Sequence, residues 1–302
     1  MVSKELIKFI NEVNSKIYLD YDLKKRNWFN IGGKTKIYFK PDNLPDLILF
    51  LKKFGKKEKI YILGAGSNTL INDKTFDGVV IKLGKNFSNI SMLPNGVIVA
   101  GSACLDSKLS DFALENEIGN FEFLACIPGT VGGGLKMNAG CFKKDFKDIL
   151  ISIQAIDKEG KVLTIPADKL NFEYRNSNLP NDLIFLSASF KGVKKDKNEI
   201  QKEVFELKNK KENSQPTKIK TSGSTFKNPI HQSNKKVWQL IKESVPLDTT
   251  FGDACISDKH CNFFVNKNNA SFKDMNKLIK FVQEMVKKKT GIILEKEIKI
   301  LE

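Results

Sequence analysis

The chain has 302 residues, of which 41% are hydrophobic and 28% charged, so it is long and apolar enough for one large globular domain or two ordinary ones. It contains no run of about 18 apolar residues and therefore no predicted transmembrane helix, and the charged residues inside its N-terminal apolar pattern argue against a signal peptide. Five cysteines without a CxxC spacing, together with only two histidines, argue against a disulfide scaffold and a metal site and indicate a cytoplasmic protein.

The formal net charge of +15 does not by itself indicate nucleic-acid binding. The lysines are spread along the whole chain among acidic residues. Arginine, the residue best suited to bidentate contacts with bases and phosphates, occurs only at Arg26 and Arg175. We therefore expect no nucleic-acid partner and no membrane insertion, and we interpret the charge as a field that attracts an anionic small substrate.

Hydrophobic patterning predicts helices and strands that alternate along the N-terminal two-thirds of the chain. The predicted elements are helices at 1–14, 44–55 and 104–118 and strands at 34–41, 59–68 (running into a loop), 78–83, 96–103 and 151–166. The helix over 104–118 is predicted to have one apolar face, formed by Leu105, Leu109, Phe112 and Leu114.

The C-terminal third is predicted to be mainly helical. A charged helix over residues 195–216 is the best candidate for a domain boundary, and further helices are predicted at 233–245 and 271–291. Residues 292–301 alternate between apolar and polar side chains, which predicts a terminal strand. One face of that strand would be formed by Ile292, Leu294, Ile298 and Ile300.

Two glycine-rich stretches carry the strongest signal for ligand binding. "ILGAGSN" (62–68) follows an apolar strand, and its glycines would let backbone N–H groups face an anion, although an ordinary strand-to-loop turn stays open for this stretch alone. "ACIPGTVGGGLKMNAG" (125–140) contains three glycines in succession, which weaken any regular element and suit a close approach of backbone to a ligand. Together the two loops predict a diphosphate site, for which a dinucleotide is the natural candidate.

Six motifs resemble one enzyme family. They are "NWFNIGG" (27–33), "ILGAGSN" (62–68), "IPGTVGGGLKMNAG" (127–140), "YRNS" (174–177), "GSTFKNP" (223–229) and "LEKEIK" (294–299). In this order they resemble the UDP-N-acetylenolpyruvoylglucosamine reductase (MurB) family of peptidoglycan synthesis, over about residues 17–300. The short segment between Arg175 and Ser224 resembles the shorter subclass, which lacks an insertion that carries a substrate-clamping tyrosine.

The resemblance implies an α+β fold. An N-terminal helix at 1–16 would precede a FAD-binding domain of the vanillyl-alcohol-oxidase/PCMH type at 17–195, with two α+β lobes, and a C-terminal α+β substrate domain at 196–302. The resemblance also implies non-covalent FAD, NADPH as hydride donor, and reduction of UDP-N-acetylglucosamine-enolpyruvate to UDP-N-acetylmuramate. The enzyme would be a monomer in the cytoplasm.

Three residues match catalytic positions of the family. Arg175 would bind and polarise the substrate carboxylate, because a planar two-pronged donor suits that group better than an ammonium. The scarcity of arginine alone leaves a structural salt bridge open. Ser224 would donate the proton that follows hydride transfer. Glu297 matches the catalytic glutamate of the family, whereas alternation alone does not separate it from Glu295.

Other contacts are implied by the same motifs. Those with the cofactor are Gly64, Ala65, Gly66, Ser67, Asn68, Ile127, Pro128, Gly129, Thr130, Gly132, Gly133, Asn138 and Ala139. Those with the substrate are Tyr174, Lys227, Asn228, His260 and Lys299, although a structural role for His260 stays open. Cys126 departs from the family pattern, since glycine is usual before "IPGT".

Two alternative functions stay open at this point. Another flavoenzyme of the same superfamily, such as an alcohol oxidase, would share the glycine loops but would not explain "GSTFKNP" and the terminal glutamate motif. A non-enzymatic nucleotide- or nucleic-acid-binding protein would not carry a flavin.

Overall fold

The computed structural model describes residues 4–302, and the chain forms two compact units. Unit 1 comprises the residues up to Asp20, Lys36–Ala65 and Asp77–Asn209, and unit 2 comprises Tyr21–Thr35, Gly66–Phe76 and Lys210–Glu302. Unit 2 therefore takes two N-terminal segments in addition to the C-terminal third. The functional domain limits proposed from the sequence, 1–16, 17–195 and 196–302, stay a prediction.

Seven helices and eighteen strands lie between residues 4 and 302. The helices are α1 (Lys4–Glu12), α2 (Leu44–Phe54), α3 (Asp106–Glu115), α4 (Val131–Met137), α5 (Lys197–Ser214), α6 (Val237–Ser244) and α7 (Phe272–Thr290). None of them combines the length and the hydropathy that a bilayer crossing requires. The first three positions of the predicted N-terminal helix lie outside the described residues.

The strands are short, and most of them lie in unit 1. They are β1 (Lys16–Asp22), β2 (Lys34–Lys40), β3 (Ile60–Ile62), β4 (Thr69–Ile71), β5 (Phe76–Ile81), β6 (Ile90–Met92), β7 (Ile98–Gly101), β8 (Ile118–Gly119), β9 (Gly140–Cys141), β10 (Lys144–Asp145), β11 (Leu150–Ile156), β12 (Val162–Pro166), β13 (Ile184–Phe190), β14 (Val193–Lys194), β15 (Thr250–Phe251), β16 (Ala254–Ile256), β17 (Phe264–Asn266) and β18 (Lys299–Leu301).

Unit 1 has two α+β lobes, as predicted. One contains a four-stranded sheet in the order β1-β2-β5-β3, in which β3 and β5 are parallel, and its core includes Phe9 of α1 and Phe50 of α2. The other contains an antiparallel sheet in the order β12-β11-β13-β7-β6, and its core includes Phe146 and Phe190. Each lobe buries one face of a sheet against helices, which is the usual solution for α+β proteins.

Helix α2 shows why the sequence signals for this lobe are reliable. The Asn43 side chain caps its first turn by accepting a hydrogen bond from the Asp46 amide at 2.8 Å. Its buried residues recur with helical spacing at Leu47, Phe50, Leu51 and Phe54. Local capping and tertiary burial therefore agree, and the predicted helix at 44–55 is confirmed.

The three successive glycines were expected to weaken regular structure, and this expectation is wrong. Gly132, Gly133 and Gly134 belong to helix α4. A Cβ on Gly134 would lie 2.2 Å from Cε2 of Phe146, and one on Gly132 would lie 3.0 Å from Cβ of Ser102. The helix packs closely on its neighbours at two of the three positions. Glycine is therefore placed there for lack of space, and it does not break the helix.

The buried face of α3 also differs from the prediction. Leu109 is fully buried, but Leu105 precedes the helix and is 47% exposed. The buried positions are Asp106, Leu109, Ser110 and Ala113, so small and polar residues occupy much of the face that meets the core. Apolar spacing missed this face because close packing selected residues by size.

Unit 2 is built around helix α7 and the strands β15, β16 and β17. Ser271 and Asp274 form a capping box at the start of α7, and Gly291 ends it with φ +76°. The core includes Phe226, Leu278 and Ile298.

The predicted terminal strand over 292–301 is mostly wrong. Only Lys299–Leu301 forms a strand, parallel to Thr69–Ile71. The predicted alternation in burial is nonetheless present, since Leu294 and Ile298 are buried while Ile293 is 57% exposed. The alternation of apolar and polar residues predicts which side chains face the core, but it does not predict whether a neighbouring strand is present for pairing.

We expect Gly134→Ala to lower the free energy of unfolding by about 1–3 kcal/mol, because the new methyl group overpacks against the Phe146 ring. That ring is held by contacts with Phe123 and Phe190 and has no room to move. Gly133→Ala is the matched control. Its Cβ would meet only Thr130 Oγ1 at 3.5 Å, so its gain in helix propensity should stabilise the protein by up to about 1 kcal/mol. Urea unfolding of ligand-free protein measures both, and equal shifts would contradict the packing argument.

Candidate active site

The first glycine loop follows β3 at the carboxyl end of the parallel pair formed with β5. Gly66 has φ +71°, and a Cβ there would lie 2.2 Å from the Arg26 carbonyl oxygen. The Trp28 amide donates to the Gly66 carbonyl at 3.0 Å and fixes the bend. Only glycine satisfies both the conformation and the space at this position.

The loop offers donors to a ligand. Within residues 4–302, the amides of Gly64, Ala65 and Ser67 donate to no acceptor of the chain. The half-buried Lys82, just after β5, donates from Nζ to the Gly64 carbonyl. A positive charge therefore lies beside the backbone of Gly64, whose own amide has no acceptor, which is an arrangement suited to an anion.

Sequence reasoning missed Lys82. It is one of 48 lysines, and its type carried no signal against that background. Its position at the carboxyl end of a strand parallel to β3 was the available clue, because ligands of parallel sheets lie at that edge.

The second glycine loop meets the first at Gly64. A Cβ on Gly64 would lie 2.8 Å from Thr130 Oγ1. The amides of Val131 and Gly132 are already used, since they donate to the carbonyls of Cys104 and Ser102, each at 2.9 Å. These two amides are therefore not open to a ligand, and this part of the second loop contributes a closely packed backbone surface.

A buried acid that the sequence did not single out lies against the second loop. Asp106 is fully buried, and within residues 4–302 neither carboxyl oxygen accepts a hydrogen bond. Its amide donates to the Gly129 carbonyl at 3.2 Å, and a Cβ on Gly129 would lie 2.6 Å from its Oδ2. Burial raises the pKa of Asp106 well above its ordinary value, so folding favours the neutral acid over the carboxylate.

The predicted catalytic Arg175 belongs to a tight turn in unit 1. Glu173 and Asn176 close the turn by exchanging two backbone hydrogen bonds, of 2.8 and 3.2 Å. Arg175 has φ +56°, which is rare for a residue with a long side chain. Its guanidinium donates from Nη2 to the Gly140 carbonyl at 2.7 Å and lies 5.0 Å from the centre of the Tyr174 ring.

The predicted proton donor Ser224 lies in unit 2, in a segment with neighbours on both sides. On one side Ser224 bridges to Phe263, and on the other Phe226 bridges to Lys296. Asn262 supports the segment from its buried side chain, accepting from the Phe226 amide at 3.1 Å and donating to the Phe226 carbonyl at 2.9 Å. Ser224 itself is half-buried, so its hydroxyl keeps partial access to solvent.

The predicted glutamate runs alongside this serine segment. The Glu297 amide donates to the Thr225 carbonyl at 2.8 Å, and the Lys227 amide donates to the Glu295 carbonyl at 2.9 Å. These two bonds bring "GSTFKNP" and "LEKEIK" together as neighbouring extended segments. Glu295 is 68% exposed and pairs with Lys227 at 3.4 Å, whereas Glu297 is half-buried.

Two predicted lysine contacts converge on the same place. Loss of hydration and the nearby Lys227 ammonium both lower the pKa of Lys299, and the Glu297 carboxylate opposes them. The amide of Lys299 donates to the Asn68 carbonyl at 2.9 Å, and the Asn68 side chain donates to the Glu297 carbonyl at 3.1 Å. Unit 2 thus gathers two cations and one carboxylate beside the serine segment.

Two other predicted substrate contacts have structural tasks. The Asn228 side chain accepts from the Val237 amide at 3.0 Å and caps the start of α6. The Nδ1 atom of His260 accepts from the Asn262 amide at 3.3 Å, and burial lowers the pKa of this histidine, so the ring is neutral at pH 7. Neither hydrogen bond tests a contact with substrate, so the substrate contacts of Asn228 and His260 stay predictions.

The remaining predicted cofactor contacts lie where the loops place them. Ile127, Gly129 and Ala139 are half-buried, Pro128 and Gly133 are exposed, and Thr130 is buried. The Asn138 side chain is fully buried. Cys126 is buried at the end of a 3-10 helix, Glu122–Cys126, that leads into the second loop.

Comparison with known proteins first identifies the class of protein to which the chain belongs. Residues 35–166 match the FAD binding domain family, and the donors of the first loop together with the glycine positions that exclude a side chain fit a dinucleotide. The chain is therefore a flavoprotein with an α+β FAD-binding domain of the predicted type.

The comparisons then give the family. Residues 215–301 match the UDP-N-acetylenolpyruvoylglucosamine reductase C-terminal domain. A reductase of that name from Pelagibacter ubique is 77% identical over 301 residues, covering 100% of both chains, and one from Rickettsia conorii is 45% identical over 93% of this chain and 94% of the other. The crystal structure of the Thermus caldophilus enzyme (MurB) has a TM-score of 0.81 at 28% identity, covering 96% of this chain and 99% of that one. The chain belongs to the UDP-N-acetylenolpyruvoylglucosamine reductase family.

We expect Asp106→Asn to remove a pH dependence of stability. The folded protein keeps the Asp106 proton at pH values where the unfolded chain releases it. The free energy of unfolding is therefore not reduced by Asp106 below the ordinary aspartate pKa of about 4, and it falls as the pH rises from there towards the folded pKa. The slope is on the order of 1 kcal/mol per pH unit. The asparagine variant should therefore gain stability relative to the parent as the pH rises from about 5 to about 8, and urea unfolding at several pH values across this range measures the gain. Asp111→Asn, an exposed acid on the same helix, is the control. Parallel profiles for parent and Asp106→Asn would show that the acid is not neutral.

We expect Lys82→Met to weaken FAD binding by about 10–100-fold, the value of one hydrogen bond to a charged group. Lys82→Gln separates charge from hydrogen bonding, because an amide can still donate to the Gly64 carbonyl. Lys36→Met, which removes an exposed lysine paired with Asp77, is the control. Flavin fluorescence on reconstitution measures the dissociation constants. If the glutamine variant binds as the parent does, Lys82 acts on the loop and its charge is unimportant.

Proposed function

We propose that the chain catalyses the NADPH-dependent, FAD-mediated reduction of UDP-N-acetylglucosamine-enolpyruvate to UDP-N-acetylmuramate in peptidoglycan synthesis. The observation that carries the proposal is the pairing of "GSTFKNP" with "LEKEIK", which brings the Ser224 segment beside Glu297, Lys227 and Lys299 in a member of this family. Bound FAD supplies hydride chemistry that no side chain of the chain can supply, with NADPH as the source of the hydride.

The substrate requires two kinds of group from the protein. Its enol ether carries a carboxylate, and reduction at the terminal carbon builds negative charge on that carboxylate and on the adjoining carbon. A permanent cation must hold this charge, and a positioned donor must then protonate the carbon. We assign the first task to Arg175 and the second to Ser224.

Glu297 and the lysines complete the assignment. A serine hydroxyl is a weak acid, so it depends on a neighbouring group that holds it in place or relays its proton, and Glu297 is the candidate in the adjoining segment. Lys227 and Lys299 would attract the diphosphate of the UDP group. Tyr174 would contact the substrate beside Arg175, on which its ring already packs.

The broader assignments follow from the same proposal. Residues 17–195 would serve as the FAD-binding domain and 196–302 as the substrate domain. The enzyme would act as a cytoplasmic monomer with no nucleic-acid partner.

A direct experiment tests this function against an oxidase of the same superfamily. Purified protein should be yellow and should release its flavin on denaturation. It should oxidise NADPH rapidly only when UDP-N-acetylglucosamine-enolpyruvate is added, and the product should be UDP-N-acetylmuramate. NADPH oxidation that depends on dioxygen and ignores the sugar nucleotide would refute the proposal.

We expect Glu297→Gln and Ser224→Ala to fail in the same half-reaction. Reduction of FAD by NADPH should stay intact, whereas reoxidation of reduced enzyme by the enolpyruvyl substrate should slow by about 10²–10⁴-fold, as for a positioned general acid. The double variant should lose less than the sum, because both groups serve one intermediate. Stopped-flow absorbance on pre-reduced enzyme measures the rates.

Glu295→Gln is the matched control for this pair. It removes only an exposed ion pair with Lys227, which contributes little in water. If Glu295→Gln is crippled while Glu297→Gln reoxidises at the parent rate, the assignment of the glutamate is wrong.

A further inference from the structure

Arg175 occupies a backbone conformation that needs support from its surroundings. It is the third residue of a four-residue turn and has φ +56°, a position normally given to glycine or asparagine. A long side chain in this region is strained, and such conformations persist only where neighbouring groups fix them. The question is which groups fix the turn and the guanidinium together.

One short segment contacts both. The Asn138 side chain donates from Nδ2 to the Glu173 carbonyl at 3.1 Å, so it holds the backbone at the first residue of the turn. Two residues further on, the Gly140 carbonyl accepts from Arg175 Nη2 at 2.7 Å. Residues 138–140 therefore fix the turn at its base and the guanidinium at its tip.

Asn138 is itself fully determined by its contacts. It is completely buried and has φ +40° at the end of α4, a conformation that asparagine tolerates. Its Nδ2 also donates to Asp145 Oδ2 at 3.1 Å, and its Oδ1 accepts from the Lys147 amide at 3.2 Å. Each of these bonds requires the amide in one orientation, because nitrogen donates and oxygen accepts.

Asp145 adds an electrostatic reason for this orientation. Burial and the nearby Asp148 raise the pKa of Asp145, while Asn138 and the Arg175 guanidinium lower it. The carboxylate therefore lies in the field of Arg175 and takes a hydrogen bond from Asn138. The buried amide of Asn138 links the half-buried carboxylate to the turn that carries the arginine.

We propose that Asn138 is a positioning residue for Arg175, so that its side chain serves the substrate half-reaction and makes no contact with the cofactor. This inference rests on the proposed function, because it gives Arg175 the substrate carboxylate. It goes beyond that function, since it assigns Asn138, at the end of the second glycine loop, to the placement of Arg175 and not to flavin binding.

The test is Asn138→Asp in the flavin-loaded enzyme. Aspartate has the same size and tolerates the same backbone, but it cannot donate to the Glu173 carbonyl and it places a second carboxylate against Asp145. We expect the FAD dissociation constant and the rate of flavin reduction by NADPH to stay within about two-fold of the parent. Reoxidation by the enolpyruvyl substrate should slow by about 10²-fold, the cost of a small misplacement of a catalytic group.

A double variant shows whether the effect acts through the arginine. In an Arg175→Lys background, Asn138→Asp should add little to the loss in reoxidation, because the group that it positions is already gone. Asn120→Asp is the control, since Asn120 also has a positive φ, +80°, in unit 1 but bonds to Lys144 Nζ at 2.7 Å and has no contact with the turn. It should behave as the parent does.

The opposite outcomes would overturn the inference. Weaker FAD binding with parental reoxidation of the reloaded variant would return Asn138 to the cofactor site, and full additivity with Arg175→Lys would separate it from the arginine. Asn138→Gly, which keeps the backbone free to adopt the same φ, provides a second variant. If both variants lose flavin, the side chain supports the cofactor loop as a whole and the inference is also wrong. A parent enzyme that binds FAD but is not reoxidised by the substrate would refute the proposed function instead.

Discussion

Close packing against the backbone of glycines is the constraint on which the rest of the site depends. Gly64 lies against Thr130, Gly66 against the Arg26 carbonyl, and Gly134 against Phe146, and none of these positions has space for a Cβ. Side chains at these places would separate the two loops from each other and from their supports. Within residues 4–302, three backbone amides of the first loop donate to no acceptor and can therefore bind a diphosphate.

The groups to which we assign catalytic roles are held by different physical means in the two units. In unit 1 a buried amide and a carbonyl fix Arg175 in a strained turn. In unit 2 backbone pairing aligns the segments that carry Ser224 and Glu297, and Lys299 interacts electrostatically with both Glu297 and Lys227. Hydrogen bonds with fixed directions suit a residue that must present a planar donor, whereas charge alone suits attraction of a diphosphate.

The chain also shows how a biased composition can hide functional residues. Lysine fills 48 of the 50 cationic positions, so the type of Lys82 gave no signal although it lies beside the Gly64 carbonyl. Asp106 was hidden for the opposite reason, because an acid in the first turn of a helix normally faces solvent. Both became visible only through their neighbours.

Local sequence determined much of the architecture. The apolar spacing of α2, the capping residues of α7 and the two glycine loops were enough to predict these helices and a dinucleotide site, because each signal lies within a few residues of what it specifies. The two α+β lobes, the flavin and the choice of Arg175, Ser224 and Glu297 came from the family resemblance that the order of the motifs carries. The roles of those three residues still rest on the resemblance. Tertiary structure alone decided that the triple glycine forms a helix, that Leu105 is exposed, and that residues 292–298 form no strand. These outcomes depend on groups distant in the chain, such as Phe146 against Gly134 and Thr225 against Glu297, and periodicity carries no information about a partner that is far away in sequence.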